Sequence, residues 1–223
     1  MVFENVLMEA STSQAIRISS EPMKQPHWQD FEAIIFDCDG TLTDSMPVHF
    51  VAWSRTMRRY GIDFPVKRFY SLGGVPSDKI IRMLADEQDI EIDSDLAATE
   101  KETAFLELID LLVPIEPVME IVLSARGTMP IAVASGGFRE IILRQLKQLG
   151  CEGWFNAIVT AEDTPRHKPH PDVFLEAARR LGVAPEKCLV YEDADLGIQA
   201  ATAAGMTSVD VRMFHTPRVL SID

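Results

Sequence analysis

Residues Phe31–Ser45 read FEAIIFDCDGTLTDS, and the fold follows from how this stretch is parsed. Ala33-Ile34-Ile35-Phe36 is a short apolar run rich in β-formers, the pattern of a strand buried on both faces. It stops at Asp37 and Asp39, followed by Gly40-Thr41. Side chains alternate along a strand, so Asp37 and Asp39 point to one side and Cys38 to the other. Two carboxylates crowded at the end of a buried strand repel each other and lose hydration, and a nearby cation relieves both costs. Mg2+ suits the position, because it takes hard oxygen ligands, often one or two carboxylates with phosphate and water. Gly40 permits a tight turn, and the Thr41 hydroxyl can bond locally or reach a ligand. The same residues also suit a plain strand followed by a polar turn that caps the next helix. By itself the stretch leaves both readings open.

Downstream, Pro47 stands near a helix start, and Val48–Tyr60 is helical in pattern, ending at Gly61. Pro76-Ser77-Asp78 opens a second helix over Lys79–Asp89. Ser94 or Asp95 caps a third, running to about Leu112, and Glu116–Arg126 reads as a fourth. The next convincing strand is Ile131–Ala134, about 90 residues after the first, where a simple crossover needs a dozen or more. A mostly helical, domain-like insertion is therefore expected between them. From there strands and helices alternate: helix Phe138–Leu149, strand Ala157–Thr160, helix Pro171–Leu181, strand Cys188–Tyr191, helix Leu196–Ala204 and strand Ser208–Val211. This rhythm predicts an α/β, Rossmann-like parallel sheet of five or more strands with helices on both faces, plus an inserted α-helical cap. The expected division is an N-terminal extension over 1–30, a discontinuous core over 31–45 and 116–223, and a cap over 46–115. The extension has a weak pattern and reads as poorly ordered or docked on the surface.

The chain has 223 residues, 47% hydrophobic and 25% charged, an ordinary globular composition. Its net charge of −13 argues against nucleic acid and anionic membranes, which need clustered Lys and Arg. An acidic protein can still bind phosphate where a metal ion supplies local positive charge. Cys38, Cys151 and Cys188 are odd in number and widely spaced, which fits free, mostly buried thiols in a reducing compartment. No secretory signal or membrane-length apolar run is present, so a cytoplasmic location is expected.

Polar residues fall just beyond strand ends, where ligands of such sheets bind. Ser135-Gly136-Gly137 offers a hydroxyl, flexible backbone and helix N–H groups to a phosphate, or simply an N-cap turn. Lys168 lies between His167 and Pro169 and is either aimed by the stiff backbone or solvated in a loop. Glu192-Asp193 either favours the dipole of the following helix or completes a carboxylate cluster with Asp37 and Asp39.

The joint order of these features resembles the haloacid dehalogenase superfamily, over Phe31 to about Phe214. Within it the chain is similar to the β-phosphoglucomutase-like subfamily. Asp37–Ser45, His49 with Ala52-Trp53, Lys168–Asp172 and Tyr191–Ala201 carry that likeness. The last stretch, with Ala203–Met206 and Val209–Arg212, looks like sugar phosphatases of the fructose-1-phosphate type.

The resemblance implies a phosphoric monoester hydrolase that works through an aspartyl phosphate. Asp37 would be the nucleophile and Asp39 the acid and base, its pKa raised by neighbouring carboxylates. Mg2+ would be held by Asp37, the Asp39 main chain, Asp193 and Glu192, with Lys168 and Ser135 completing the catalytic set. Substrate contacts would be Thr41, Ser45, His49, Ser77, Lys101, Gly136 and Gly137. His49 has an alternative as a helix-face residue packed near Trp53, and Lys101 as an exposed helix lysine. Ser77 stands where the mutase carries an arginine for a second phosphate. The partner implied is a small phosphorylated metabolite, with the chain a monomer or weak homodimer. The alternatives are a phosphoglucomutase-type isomerase and a non-catalytic phosphosugar-binding protein. Dehalogenase chemistry is disfavoured, since those relatives lack a second aspartate like Asp39.

Overall fold

The apolar run Ala33–Phe36 forms strand β1, with all four side chains buried. The computed structural model describes residues 26–220, so the expectation of a loose leader falls mostly outside the described residues. Four further strands join β1: β2 (Ile131–Ala134), β3 (Ala157–Val159), β4 (Cys188–Glu192) and β5 (Thr207–Asp210). They form one sheet in the order β3-β2-β1-β4-β5, with every pairing parallel.

Alternation along β1 divides the core. Ile34 and Phe36 pack on one side with Val118, Met119 and Val122 of α5 (Glu116–Ala125) and Ile142 and Leu146 of α6 (Arg139–Gln148). Ala33 and Ile35 pack on the other with Phe174 and Ala177 of α7 (Asp172–Leu181) and Ala200 and Ala201 of α8 (Asp195–Ala203). Cys38 joins the first cluster, as a small buried side chain. Phe36 sits opposite Val133 on one side and Tyr191 on the other, so the carboxyl ends of β1, β2 and β4 come level. That edge, where the strand order reverses, is where Asp37, Ser135 and Glu192 emerge.

Between β1 and α5 lie four α-helices: α1 (Met46–Arg59), α2 (Val66–Ser71), α3 (Ser77–Glu87) and α4 (Ser94–Leu106). Trp53, Met57, Phe69, Ile81, Leu84 and Ala97 form their own apolar cluster. A smaller cluster of Val48, Ala52, Phe105 and Ile141 fastens α1 and α4 to α6. The two connections to the sheet run side by side, with Asp44 N donating to Val113 O at 3.0 Å and Ile115 N to Leu42 O at 3.0 Å.

Several local expectations shift. The cap of α4 is Asp93, whose carboxylate accepts from Asp95 N and Leu96 N, rather than Ser94 or Asp95. The same helix stops at Leu106 and gives way to a 3-10 turn over Ile109–Leu111. Helix α2 has no counterpart in the sequence reading. At six residues it is too short for a helical period to show, and Phe69 anchors it from below. No helix among the described residues is long and apolar enough to cross a membrane.

Candidate active site

Lys168 follows β3 in a polar loop, yet it is buried rather than solvated. Its ammonium donates to Asp37 Oδ1 at 2.6 Å and to Glu192 Oε2 at 2.7 Å. It also lies 4.9 Å from the Phe174 ring centroid, so apolar packing shields it. Asp37, Glu192 and Asp193 each bring an oxygen within 4.8 Å of the others. Three carboxylates thus share one ammonium. Burial, opposed by Lys168 and helped by Glu192 and Asp39, pushes the Asp37 carboxyl up to about 8. Burial and then the Glu192 and Asp37 charges push Asp193 well above the carboxylate range. Lys168 shifts upward although burial opposes it, because Asp37 and Glu192 hold its proton. This is an excess of buried negative charge presented by oxygen donors alone, and it fits a hard divalent cation.

Two glycines make room for the cluster. A Cβ on Gly40, whose φ is +77°, would lie 2.2 Å from Asp193 Oδ2. A Cβ on Gly197 would lie 2.0 Å from Glu192 Cδ. Gly40 therefore serves close approach as well as the turn.

The Asp39 side chain is not part of this group, so three carboxylates converge rather than four. Its Oδ1 accepts from Ser45 Oγ at 2.6 Å, Gln145 Nε2 at 2.9 Å and the His49 ring at 2.9 Å. The expected upward shift of Asp39 is reversed. Burial does push upward, but the His49 ring with its hydrogen bond, then Ser45 and Gln145, hold the carboxyl well below the usual range. Neighbouring carboxylates lose to three donors on a single oxygen.

Above the cluster lies a cavity of about 360 Å³, bounded by Asp37, Asp39, Ser135 and Lys168 on the sheet side and by His49, Ser77, Lys101 and Glu102 on the helical side. Ser135 is buried, and its Oγ accepts from Gly137 N at 3.0 Å. Helix α6 begins only after Phe138, so Ser135-Gly136 is not its N-cap. Gly136 and Gly137 also border the cavity. Lys101 is buried, not exposed. It contacts His49 Nδ1 at 3.1 Å and Glu102 Oε1 at 3.0 Å. An ammonium can only donate, so Nδ1 accepts and the His49 proton sits on Nε2, aimed at Asp39. The His49 ring stacks on Phe105, with ring centroids 3.8 Å apart. Ser77 donates to Glu102 Oε1 at 3.1 Å. Thr41 and Ser45 are fully buried and do not border the cavity, because their hydroxyls are spent on Asp193 (3.4 Å) and Asp39 (2.6 Å).

The profile of the haloacid dehalogenase-like hydrolases matches residues 31–205. The chain belongs to that family. It is 38% identical over 187 residues to the fructose-1-phosphate phosphatase YqaB of Escherichia coli K12, covering 83% of this chain and 99% of that protein. It is 30% identical over 182 residues to a phosphorylated carbohydrates phosphatase of Thermotoga maritima, covering 80% and 83%. Among solved structures, a β-phosphoglucomutase from Clostridium difficile superposes with a TM-score of 0.71 at 31% identity, covering 81% of this chain and 84% of that one.

Three residues at this candidate site escaped the sequence reading. Gln145 occupies an apolar-patterned face of α6, so only its polarity could have marked it. Gly197 reads as one small residue in a helix rich in alanine. Glu102 follows Lys101 on a helix, where a charge normally faces water.

Proposed function

We propose that the protein is a Mg2+-dependent phosphatase acting on a small phosphorylated sugar through an aspartyl phosphate on Asp37. The observation that carries this reading is the buried Lys168, bonded to both Asp37 and Glu192 at the floor of a cavity. A buried ammonium beside a carboxylate offsets charge on the carboxylate and on a phosphoryl group placed next to it. Asp37, Glu192 and Asp193, with the Asp39 main chain, would hold Mg2+, which supplies positive charge for the phosphoryl oxygens when bound.

In the first step Asp37 attacks phosphorus, and the P–O bond to the sugar breaks. The departing sugar oxygen takes a proton from Asp39. A bound phosphate beside Asp39 raises its pKa by like-charge repulsion, which offsets the three donors that depress it in the free protein. In the second step Asp39 takes a proton from water, and that water attacks phosphorus and frees Asp37. Such acid–base help is typically worth about 10²–10⁴-fold. Ser135 and the Gly136 and Gly137 backbone suit the remaining phosphoryl oxygens. His49, Ser77 and Lys101 suit sugar hydroxyls.

Hydrolysis is favoured over isomerisation by what faces the cavity from the helical side. Ser77 and Lys101 are both bonded to the Glu102 carboxylate, and a carboxylate repels a second phosphate where an arginine would grip it. The phosphatases similar to this chain support the same choice.

The test is a panel of sugar monophosphates, fructose 1-phosphate included, assayed with Mg2+ for inorganic phosphate. Glucose 1-phosphate is run in parallel with catalytic glucose 1,6-bisphosphate. Phosphate release is expected, and it should be lost in both Asp37→Asn and Asp39→Asn. Glucose 6-phosphate forming much faster than inorganic phosphate would establish a mutase instead.

A further inference from the structure

Helix α6 turns Ile141, Ile142, Gln145 and Leu146 inward, and all four are buried. The spacing is that of an apolar stripe, and one amide interrupts it. Gln145 is fully buried. Its Nε2 donates to Asp39 Oδ1 at 2.9 Å, while its Oε1 has no hydrogen-bond partner among the described residues. The opposite amide orientation would set two acceptors against each other, so chemistry fixes which end faces Asp39. A buried acceptor without a partner costs stability. Leucine or methionine would fill the stripe without that cost, so folding alone does not account for glutamine here.

The other two donors to the same oxygen come from one short stretch. Ser45 precedes α1 and His49 lies on its first turns. Gln145 reaches the oxygen from a helix packed on the sheet. With Oδ1 triply occupied, Oδ2 is left without a hydrogen-bond partner among the described residues, and Asp39 borders the cavity.

We propose that Gln145 is a positioning residue for Asp39. It holds Oδ1 from the sheet side, so that Oδ2 meets the sugar oxygen whatever small motion α1 undergoes. The inference rests on the phosphatase reading above.

The test compares wild type, Asp39→Asn, Gln145→Leu and Gln145→Met on two esters. One is fructose 1-phosphate, or whichever panel sugar phosphate is turned over fastest. The other is p-nitrophenyl phosphate, whose leaving group needs no proton. Gln145→Met keeps an unbranched side chain of similar length, so it covers the case in which leucine does not fold. Both variants should stay folded, since removing the unpartnered Oε1 offsets the hydrogen bond lost to Asp39. For the sugar phosphate kcat should fall about 10–100-fold with KM little changed, part of the ~10²–10⁴-fold that acid–base help supplies. For the aryl phosphate the burst of p-nitrophenol, which reports transfer to Asp37 before Asp39 acts as a base, should slow by less than about threefold, and Asp39→Asn should show the same bias, more strongly. An unchanged sugar-phosphate kcat, or an aryl-phosphate burst slowed as much as sugar-phosphate turnover, would overturn the role of Gln145. A wild-type protein that hydrolyses neither ester would overturn the phosphatase reading, an Asp39→Asn variant without leaving-group bias would overturn the acid role of Asp39, and the proposal falls with either.

Discussion

Replacing Gly197 with alanine tests the geometry of the carboxylate cluster without touching a charge. Gly197 is the third residue of α8. Taken alone the change favours the helix, by about 1 kcal/mol. The added Cβ, however, would stand 2.0 Å from Glu192 Cδ and 2.5 Å from its Cγ. Carbon atoms settle near 3.5 Å, so the Glu192 carboxyl must retreat by about 1.5 Å. It has nowhere to go. The residue is 1% exposed, its Oε2 is bonded to Lys168 at 2.7 Å, and its Oε1 accepts from Ala194 N at 3.0 Å. Losing one partner of a buried ion pair costs about 3–5 kcal/mol. The collision therefore outweighs the helix gain, and a net loss of about 2–4 kcal/mol is expected, or roughly 4–16 °C in melting temperature for a chain of this size. A displaced ligand should also weaken Mg2+ binding by about 10–100-fold. Melting with and without Mg2+ reads the first effect, and isothermal titration reads the second. A Gly197→Ala protein that melts higher than wild type and binds Mg2+ equally well would refute the packing argument.

Two further outcomes follow from the charges. Burial pushes the Asp37 carboxyl up to about 8 and shifts Asp193 upward as well, and a protonated carboxyl is a poor Mg2+ ligand. Metal therefore competes with protons, so Mg2+ affinity should climb between about pH 6 and pH 8, and binding should release protons. Titration in two buffers of different ionisation enthalpy counts them, and pH-independent binding with no proton release would contradict the assignment. On the surface, Asp163 accepts from Arg180 at 2.7 Å, from Thr160 N at 2.8 Å and from Arg139. Burial works against ionisation there, but these donors hold the carboxyl down at about 2. A depressed folded-state pKa stabilises above the unfolded value and is lost as pH falls through the folded one. Asp163→Asn should therefore melt about 2–8 °C lower at pH 7, with the deficit closing between about pH 4 and pH 2. A deficit that persists unchanged at pH 2 would show that the charge is not responsible.

What could be read from the sequence was whatever depends on neighbours along the chain. Strands β1 to β4 are short, mainly apolar runs flanked by turn residues and recognisable from composition, whereas β5 is marked chiefly by its place after α8. Their parallel order follows from the alternation with helices. Helix ends were less legible, because α4 is capped by a carboxylate one residue before the expected cap and α2 is held by Phe69 rather than by periodicity. From its neighbours alone the fate of a lone lysine was not legible. Lys168 and Lys101 look alike in sequence, as charges among polar residues, and both prove buried, Lys168 against the distant Asp37 and Glu192 carboxylates and Lys101 against the distant His49 and Trp53 rings.

The two aspartates show most directly where local reading ends. Asp37 and Asp39 are two residues apart, and crowding alone would raise the pKa of both. The structure separates them, because Asp37 faces other carboxylates whereas Asp39 Oδ1 faces only donors, from residues 6, 10 and 106 positions away. One carboxylate therefore needs a cation to be ionised at neutral pH, and the other does not. Opposed environments of this kind are how neighbouring carboxyl groups take different parts in one reaction. Removing metal should then act mainly through Asp37, and removing Ser45, His49 or Gln145 mainly through Asp39. The two sets of perturbations should be separable by leaving group in the first step: chelation should slow phosphoryl transfer to Asp37 from every ester, whereas loss of an Asp39 partner should slow it only from esters whose leaving oxygen needs a proton.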